Sequence, residues 1–466
     1  MKRLVRYRGV QGLVRAALVT TALSGWVLPA RAETITDAFT AAYESNPGLQ
    51  GQRAQQRATD EQVPQALSGY RPNASVQASY GLEHDQQVAN TGGQSSRLKD
   101  DFQPATGTVT LGENLYSGGQ TVNSVQQAEA AVRAGREQLL GVEQGTLMNA
   151  ASAYLTVIQN EATVKLQENN VQVLQRQLEA NQDRFKVGIL TTTDVAQSVA
   201  RLADSKSQLT GARAQLDQAR AEYLQVIGHM PGTLERPAPI TGLPASKDAA
   251  VAVALATNPD IKAAREAERA SSYAIKVAEG SLLPKFDVQA QYQQYTESAL
   301  SVDRGSGASL MGVLTVPLYQ GGAEYSQIRE SKALNSQSRL QISATTDAVV
   351  QNVSNAWDQL QSAKAQFVSG QEAVRANQLA LEGTRQEELV GSRTILDVLN
   401  AEQELLNSQV NLVRYDTNIY IFGYNLLATM GRLGAKDLNL PVPYYDSTKN
   451  YDDVRDSWFG TSSEGQ

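Results

Sequence analysis

Two short stretches concentrate the side chains able to bind or switch. Arg184–Val195 reads R-F-K-V-G-I-L-T-T-T-D-V, and Glu387–Val398 reads E-E-L-V-G-S-R-T-I-L-D-V. Val187, Gly188, Thr191, Asp194 and Val195 return as Val390, Gly391, Thr394, Asp397 and Val398, each 203 residues later. Thr-x-x-Asp is a capping box, in which the hydroxyl accepts from one orphan amide and the acid from another. A Val-Gly pair just before it suits a helix end, where glycine takes the left-handed conformation without strain. Each copy therefore predicts the tight turn of a long helical hairpin that presents a carboxylate at its tip. Other chemistry is thin. His84 and His229 fall in predicted loops and are too few for a catalytic or metal constellation. Gly305-x-Gly307 lacks the strand–loop–helix context of a phosphate loop. Asp100-Asp101 and Asp452-Asp453 read as solvated surface. No catalytic residue, cofactor or metal is expected.

Long helices must position such tips, and the composition suits them. The chain has 466 residues, no cysteine and 6% aromatics. A supply of Ala, Gln, Ser and Leu with little Phe or Trp favours coiled coil over compact core. The missing cysteines exclude disulfides, Cys-based metal sites and a lipid anchor on an N-terminal cysteine. Residues 1–32 read as a secretory signal: Lys2, Arg3, Arg6, Arg8 and Arg15, then the apolar Ala16–Leu28, then Ala30-Arg31-Ala32 as cleavage site. An uncleaved anchor is the alternative, though the apolar run falls short of the ~20 residues that span a bilayer. Removing the signal takes away six basic and no acidic residues, moving the formal net charge from −7 to −13. An acidic exported chain is a poor nucleic-acid binder. No later stretch is apolar enough for a transmembrane helix, so any membrane crossing must use strands.

The duplication extends beyond the tips. Asn46-Pro47, Arg53, Pro72 and Val76-Gln77-Ala78-x-Tyr80 return at an offset of 212 as Asn258-Pro259, Arg265, Pro284 and Val288-Gln289-Ala290-x-Tyr292. Leu115-Tyr116-x-Gly118-Gly119 returns at 203 as Leu318-Tyr319-x-Gly321-Gly322. The nine lost residues are assigned to the polar stretches 83–105 and 296–308, read as loops. Each half opens with Asn as N-cap and Pro at the first helical position, the first helix running to about Gly69. Alternation then predicts a strand hairpin: Ala74, Val76, Ala78, Tyr80 and Leu82, returning through Val109, Leu111 and Leu115. The second copy uses Phe286, Val288, Ala290 and Tyr292, returning through Leu310, Leu314, Val316 and Leu318. A proline-free run from Gly119 to Val187 follows, long enough for a helix of about 100 Å. In the return helix Val195, Leu202, Leu209, Leu216 and Tyr223 fall every seventh residue, beside Ser198, Ser205, Ala212 and Ala219; Val398, Leu405, Leu412, Ile419 and Leu426 repeat the ladder. That seam is coiled-coil packing. The domains are thus 33–245 and 246–436, the two repeats, and 437–466, a polar tail, equatorial or disordered. Met230–Pro244, with four prolines, links the repeats.

The expected fold is mainly α with transmembrane β. Four strands of roughly ten residues match membrane-strand length but cannot close a barrel, and open edges are not tolerated in lipid. Two copies would give eight strands, a barrel filled by its own side chains; three give twelve. A trimer is inferred, with a 12-stranded β-barrel continuous with a tube of helices and the hairpin tips at its far end. The alternative is an exported coiled-coil scaffold or adhesin without a pore.

The signal, the duplication, the Asn-Pro helix starts, the L-Y-x-G-G junctions and the V-G-x-x-T-x-x-D-V turns together resemble the TolC family of outer-membrane efflux and secretion proteins. The resemblance covers essentially the whole mature chain, and the W-F-G tail is similar to that of type I secretion members. It implies a homotrimeric duct in the outer membrane of a Gram-negative bacterium, its helices in the periplasm. It also implies a periplasmic adaptor and an inner-membrane ABC or RND pump as partners. Val187, Gly188, Thr191, Val390, Gly391 and Thr394 would then be adaptor-docking tips. In the family the periplasmic gate is held by an Arg and a Tyr of the second hairpin reaching a Thr-Asp pair of the first. Thr193 and Asp194 match that pair and Arg393 the Arg, whereas Glu388 stands at the Tyr position and would repel Asp194. Asp397 matches one acid of the luminal ring, and Asn400 replaces the other. For Asp194 and Asp397, capping and gating both remain open.

Overall fold

The structure is a computed structural model that describes residues 32–461 apart from 93, 300 and 301. The signal expected at 1–32 therefore lies, but for Ala32, outside the described residues. Two halves share one plan, short helices, then strands, then a long helical hairpin, with one more short helix and the extra pair β2–β3 in the first. In the first, α1 (Ile35–Ser45), α2 (Pro47–Asp60) and α3 (Gln62–Leu67) lead into strands β1 (Asn73–Tyr80), β2 (Glu83–Thr91), β3 (Gln94–Phe102) and β4 (Ala105–Ser117), then α4 (Gln120–Lys186) and α5 (Thr192–Ile227). In the second, α6 (Lys247–Thr257) and α7 (Pro259–Glu279) lead into β5 (Lys285–Ala299) and β6 (Val302–Thr315), then α8 (Ala323–Leu389) and α9 (Ile395–Thr429). A short α10 (Lys449–Val454) lies in the tail. α4 and α8 have 67 residues each, about 100 Å of helix.

Asn46 and Asn258 cap α2 and α7 through their side-chain oxygens, with Pro at the first helical position of each. Where α7 runs unbroken, α2 stops at Asp60, because Pro64 has no N–H to give the carbonyl four residues back. Along α5 the small seam residues Ser198, Ser205, Ala212 and Ala219 are all buried. Asn181 and Asn170 of α4 donate to Ser198 Oγ (2.8 Å) and Ser205 Oγ (3.0 Å), pinning the register of the two helices. The main core lies midway, where α1, α6 and the ends of α5 and α9 pack on α4 and α8 around the fully buried Tyr154 and Tyr223. Tyr154 donates to the Glu33 and Glu235 carbonyls, tying the start of the chain to the inter-repeat linker.

The strands form one antiparallel sheet in the order β1-β4-β5-β6, with β2 and β3 as a separate pair. Two sequence expectations change here. Residues 83–105 and 296–308 are largely strand rather than loop, and His84 lies on β2. A ladder is held by backbone groups, so polar residues extend it wherever both faces meet water, without leaving the alternation that marks a strand. At the other end β6 stops at Thr315, so Val316 and Leu318 fall outside it; Pro317 cannot donate to the ladder.

Candidate functional site

At the tips both predicted capping boxes form. Thr191 Oγ1 accepts from the Asp194 amide at 3.3 Å, and Asp194 Oδ2 accepts from the Thr191 amide at 2.9 Å and its hydroxyl at 2.7 Å. Thr394 and Asp397 repeat this geometry at 3.3, 2.9 and 2.8 Å. These bonds favour the ionised acids and hold both carboxyls below the usual value; for Asp194 the Thr191 hydroxyl contributes most, for Asp397 the Thr394 amide. Gly188 and Gly391 each have φ of +80°, closing the turn left-handed, and open space surrounds both. Val187 and Val390 are 70% and 80% exposed, so each tip offers an apolar side chain beside a bare backbone.

The two hairpins meet behind the tips. Ile395 and Leu399 of α9 pack with Leu174, Leu178 and Leu202 of the first hairpin in a small apolar cluster, with Leu190 and Val195 against it. Two polar contacts flank that cluster. Arg184 Nη1 donates to Glu388 Oε1 at 2.7 Å, with the Glu388 side chain only 12% exposed. Arg201 Nη2 donates to Asn400 Oδ1 at 2.5 Å. Glu388 therefore faces an arginine of the first hairpin, while Asp194 is engaged in its own cap. Arg393 lies 3.0 Å from Glu387 within its own hairpin, and Thr193 is exposed at the start of α5. Arg184 and Arg201 were missed as site residues. Their partners lie 204 and 199 residues away, and the repeat places Phe185, not an arginine, opposite Glu388 at the 203-residue offset.

The opposite end is built for a different medium. Cross-strand partners share a face, and register sorts the sheet into two faces across all four strands. Ala74, Leu111, Ala290 and Leu310 form one row and Val76, Val109, Tyr292 and Ala308 the next. Ser75, Thr110, Gln291 and Ser309, then Gln77, Thr108, Gln293 and Gly307, form the opposite face. Exceptions on the apolar side are Glu113, next to the bulge at Asn114–Tyr116 near its root, and Gln294, Ser306 and Arg304 toward its far end, while Met311 and Val313 fall on the opposite face. Among the described residues nothing covers the apolar face: Val76, Leu111, Leu310 and Leu314 are all exposed. No helix among the described residues is long and apolar enough to cross a membrane.

A sheet with one polar and one bare apolar face, rooted on helices about 100 Å long, defines the class of outer-membrane channels whose helices form a periplasmic extension. The comparisons with known proteins agree. The family model for outer membrane efflux proteins matches residues 39–229 and 250–432, and the chain belongs to that family. It is 37% identical over 461 residues, 97% of each chain, to the outer membrane efflux protein BepC of Brucella suis biovar 1 (strain 1330). It is 24% identical over 445 residues to outer membrane protein TolC of Escherichia coli (strain K12), covering 90% of this chain and 87% of that protein. Among solved structures, the CmeC outer membrane channel of Campylobacter jejuni superposes with a TM-score of 0.74 at 14% identity, over 91% of this chain and 89% of that one. The Vibrio cholerae outer membrane protein VceC gives 0.73 at 18% identity, over 85% and 96%. The chain is thus an outer-membrane efflux or secretion duct of a Gram-negative bacterium, in a family of channels rather than enzymes.

The caps generate a pH prediction. A carboxyl whose folded pKa is lowered stabilises the fold above its ordinary value of 3.8, and that contribution fades as pH falls through the lowered value. Amide protection factors over Thr191–Val195 and Thr394–Val398 should hold at about pH 5 and drop below 3.8. In Asp194→Asn the drop at the first tip should disappear while the second keeps it.

Proposed function

We propose that three copies of this chain close a twelve-stranded barrel in the outer membrane, and that their helices form a periplasmic tube gated at the hairpin tips. The carrying observation is the apolar face that no described residue covers, on a sheet whose outer strands, β1 and β6, each lack a partner on one side among the described residues. Hydrocarbon suits the face but not the edges, since unpaired backbone groups there cost several kcal/mol each. Pairing β6 of one copy with β1 of the next satisfies both, and twelve strands leave an open lumen lined by the Ser, Thr and Gln face. An exported scaffold without a pore gives that apolar face nothing to lie against.

In this reading the tips are the working end. The apolar cluster and the Arg184–Glu388 pair hold the second hairpin against the first, and the mouth opens as they separate. Thr193, Asp194 and Arg393 would then face the adjoining copy, and Asp397 with Asn400 the narrowed lumen. The duct hydrolyses nothing; an inner-membrane pump, ABC or RND, supplies the energy through a periplasmic adaptor seated on the tips. Relatives named for protease secretion, PrtF of Dickeya chrysanthemi and AprF of Pseudomonas aeruginosa, support a type I secretion role beside efflux.

Two experiments follow. A hydrogen bond to a charged group contributes about 1.5–3 kcal/mol, so Arg184→Ala should favour the open mouth about ten- to hundredfold per protomer. Single-channel conductance in planar bilayers should rise, and the charge reversal Arg184→Glu with Glu388→Arg should restore the low value. Unchanged conductance in Arg184→Ala would defeat the latch. For docking, Gly188→Asn adds bulk at a site with open space, and Asn tolerates a positive φ. That variant should assemble normally and lose export; full export would remove the tip from the adaptor contact.

A further inference from the structure

Residues beyond α9 follow a defined course. Ala435 donates its amide to Glu143 Oε1 at 2.7 Å. Arg53 then stacks between the Tyr43 ring (4.5 Å) and the Tyr445 ring (5.0 Å), and the Tyr445 amide donates to Tyr43 Oη. Asn450 donates to Asp60 at 3.0 Å, and Arg136 lies 5.1 Å from the Tyr451 ring. Arg455 reaches Glu129 at 3.6 Å. Along α4 the contact points are Glu143, Arg136 and Glu129, each seven residues nearer the helix start, which moves the tail about 10 Å per step toward the strands. Along the other flank they are Arg53, Asp60 and Arg71, the last of these two residues before β1 begins.

At Arg71 the climb ends. Its Nη1 donates to the Ser457 carbonyl at 2.6 Å, and its guanidinium covers the Trp458 ring at 4.9 Å. Trp458 is still 57% exposed and Phe459 91%. A strap that anchors at every step and then presents two aromatic rings to the outside is not finishing a core. The level is specific: Tyr70 adjoins Arg71, and Tyr116 sits in the lowest rows of the sheet opposite Phe286, both tyrosines half exposed. Tyr and Trp concentrate where a membrane meets water, because each ring has an apolar body and a polar edge.

We infer that Trp458 and Phe459 insert into the periplasmic leaflet of the outer membrane and fasten the root of the barrel to it. The occupant is phospholipid, continuous with the apolar face of β1 and β4. The Arg71 guanidinium, bonded to the strap on one side, provides a cation at headgroup depth. The inference rests on the sheet being the membrane segment.

The test is depth-resolved fluorescence on the full-length protein in liposomes of phosphatidylethanolamine and phosphatidylglycerol. Trp458→Phe changes an exposed ring, and subtracting its emission from the unmodified protein's isolates Trp458. The expected result is a blue-shifted difference spectrum, quenched at least twofold by lipid brominated near the headgroup and unaffected by aqueous acrylamide. A difference spectrum quenched by acrylamide and not by brominated lipid overturns the anchor while leaving the barrel intact. Protein that does not float with the liposomes defeats the membrane reading, and the anchor with it.

Discussion

A four-stranded sheet with one bare apolar face satisfies neither water nor hydrocarbon while it stands alone. Water penalises the Leu111, Leu310 and Val76 side, at roughly 25 cal/mol per Å² of exposed apolar surface. Hydrocarbon accepts that side but penalises the free backbone groups along β1 and β6. Only closure removes both costs. Much else in the chain follows from this constraint: the duplication doubles two strands to four, and on the proposed reading threefold assembly completes the count. The helices then have no choice of position. Gly118 takes a φ of +65° at the turn from β4 into α4, and a side chain there would strike the Gly280 carbonyl. Gly118, at the strand-to-helix turn of the first repeat, thus meets Gly280, at the helix-to-strand turn of the second.

At the far end the repeat separates two kinds of residue. Positions that recur at 203 residues, Val-Gly and Thr-x-x-Asp, make the turn itself, and the two capping boxes agree to within 0.1 Å. Positions that differ between the copies make the polar contacts from hairpin to hairpin. Arg184 and Glu388 are such a pair, as are Arg201 and Asn400. Symmetric residues build two equivalent tips, and asymmetric ones give those tips something to hold. Glu388, at the position where the family's Tyr is expected, is held by Arg184 of the same chain.

Sequence reasoning reached what is local. The strands announced themselves by alternation, the long helices by length without proline, and the caps by three-residue spacing, because each depends on neighbours along the chain. Three helices were overlooked: α1, α6 and the short α10 of the tail. α1 opens with a box of the same type as the tips, Thr34 to Asp37, hidden beside the cleavage site; α6 has Ser246 as its cap but no acid three residues on. The polar hairpin β2–β3 carried no alternation to read. Contacts spanning half the chain were out of reach, since side chains some 200 residues apart are brought together only by packing. The tail belongs with them: its route up α4 is written in single residues spaced along three different elements.

Closure of the sheet between copies is the central claim, and it can be measured covalently. The chain has no cysteine, so thiols placed on the free edges react only with each other. One cysteine scanned along β1 and one along β6, in the same chain, would be oxidised in outer membranes and run on a denaturing gel. The account predicts a register at which the product is a ladder of one, two and three chains that stops at three. A ladder ending at two, one continuing past three, or no intermolecular link at any register would contradict it.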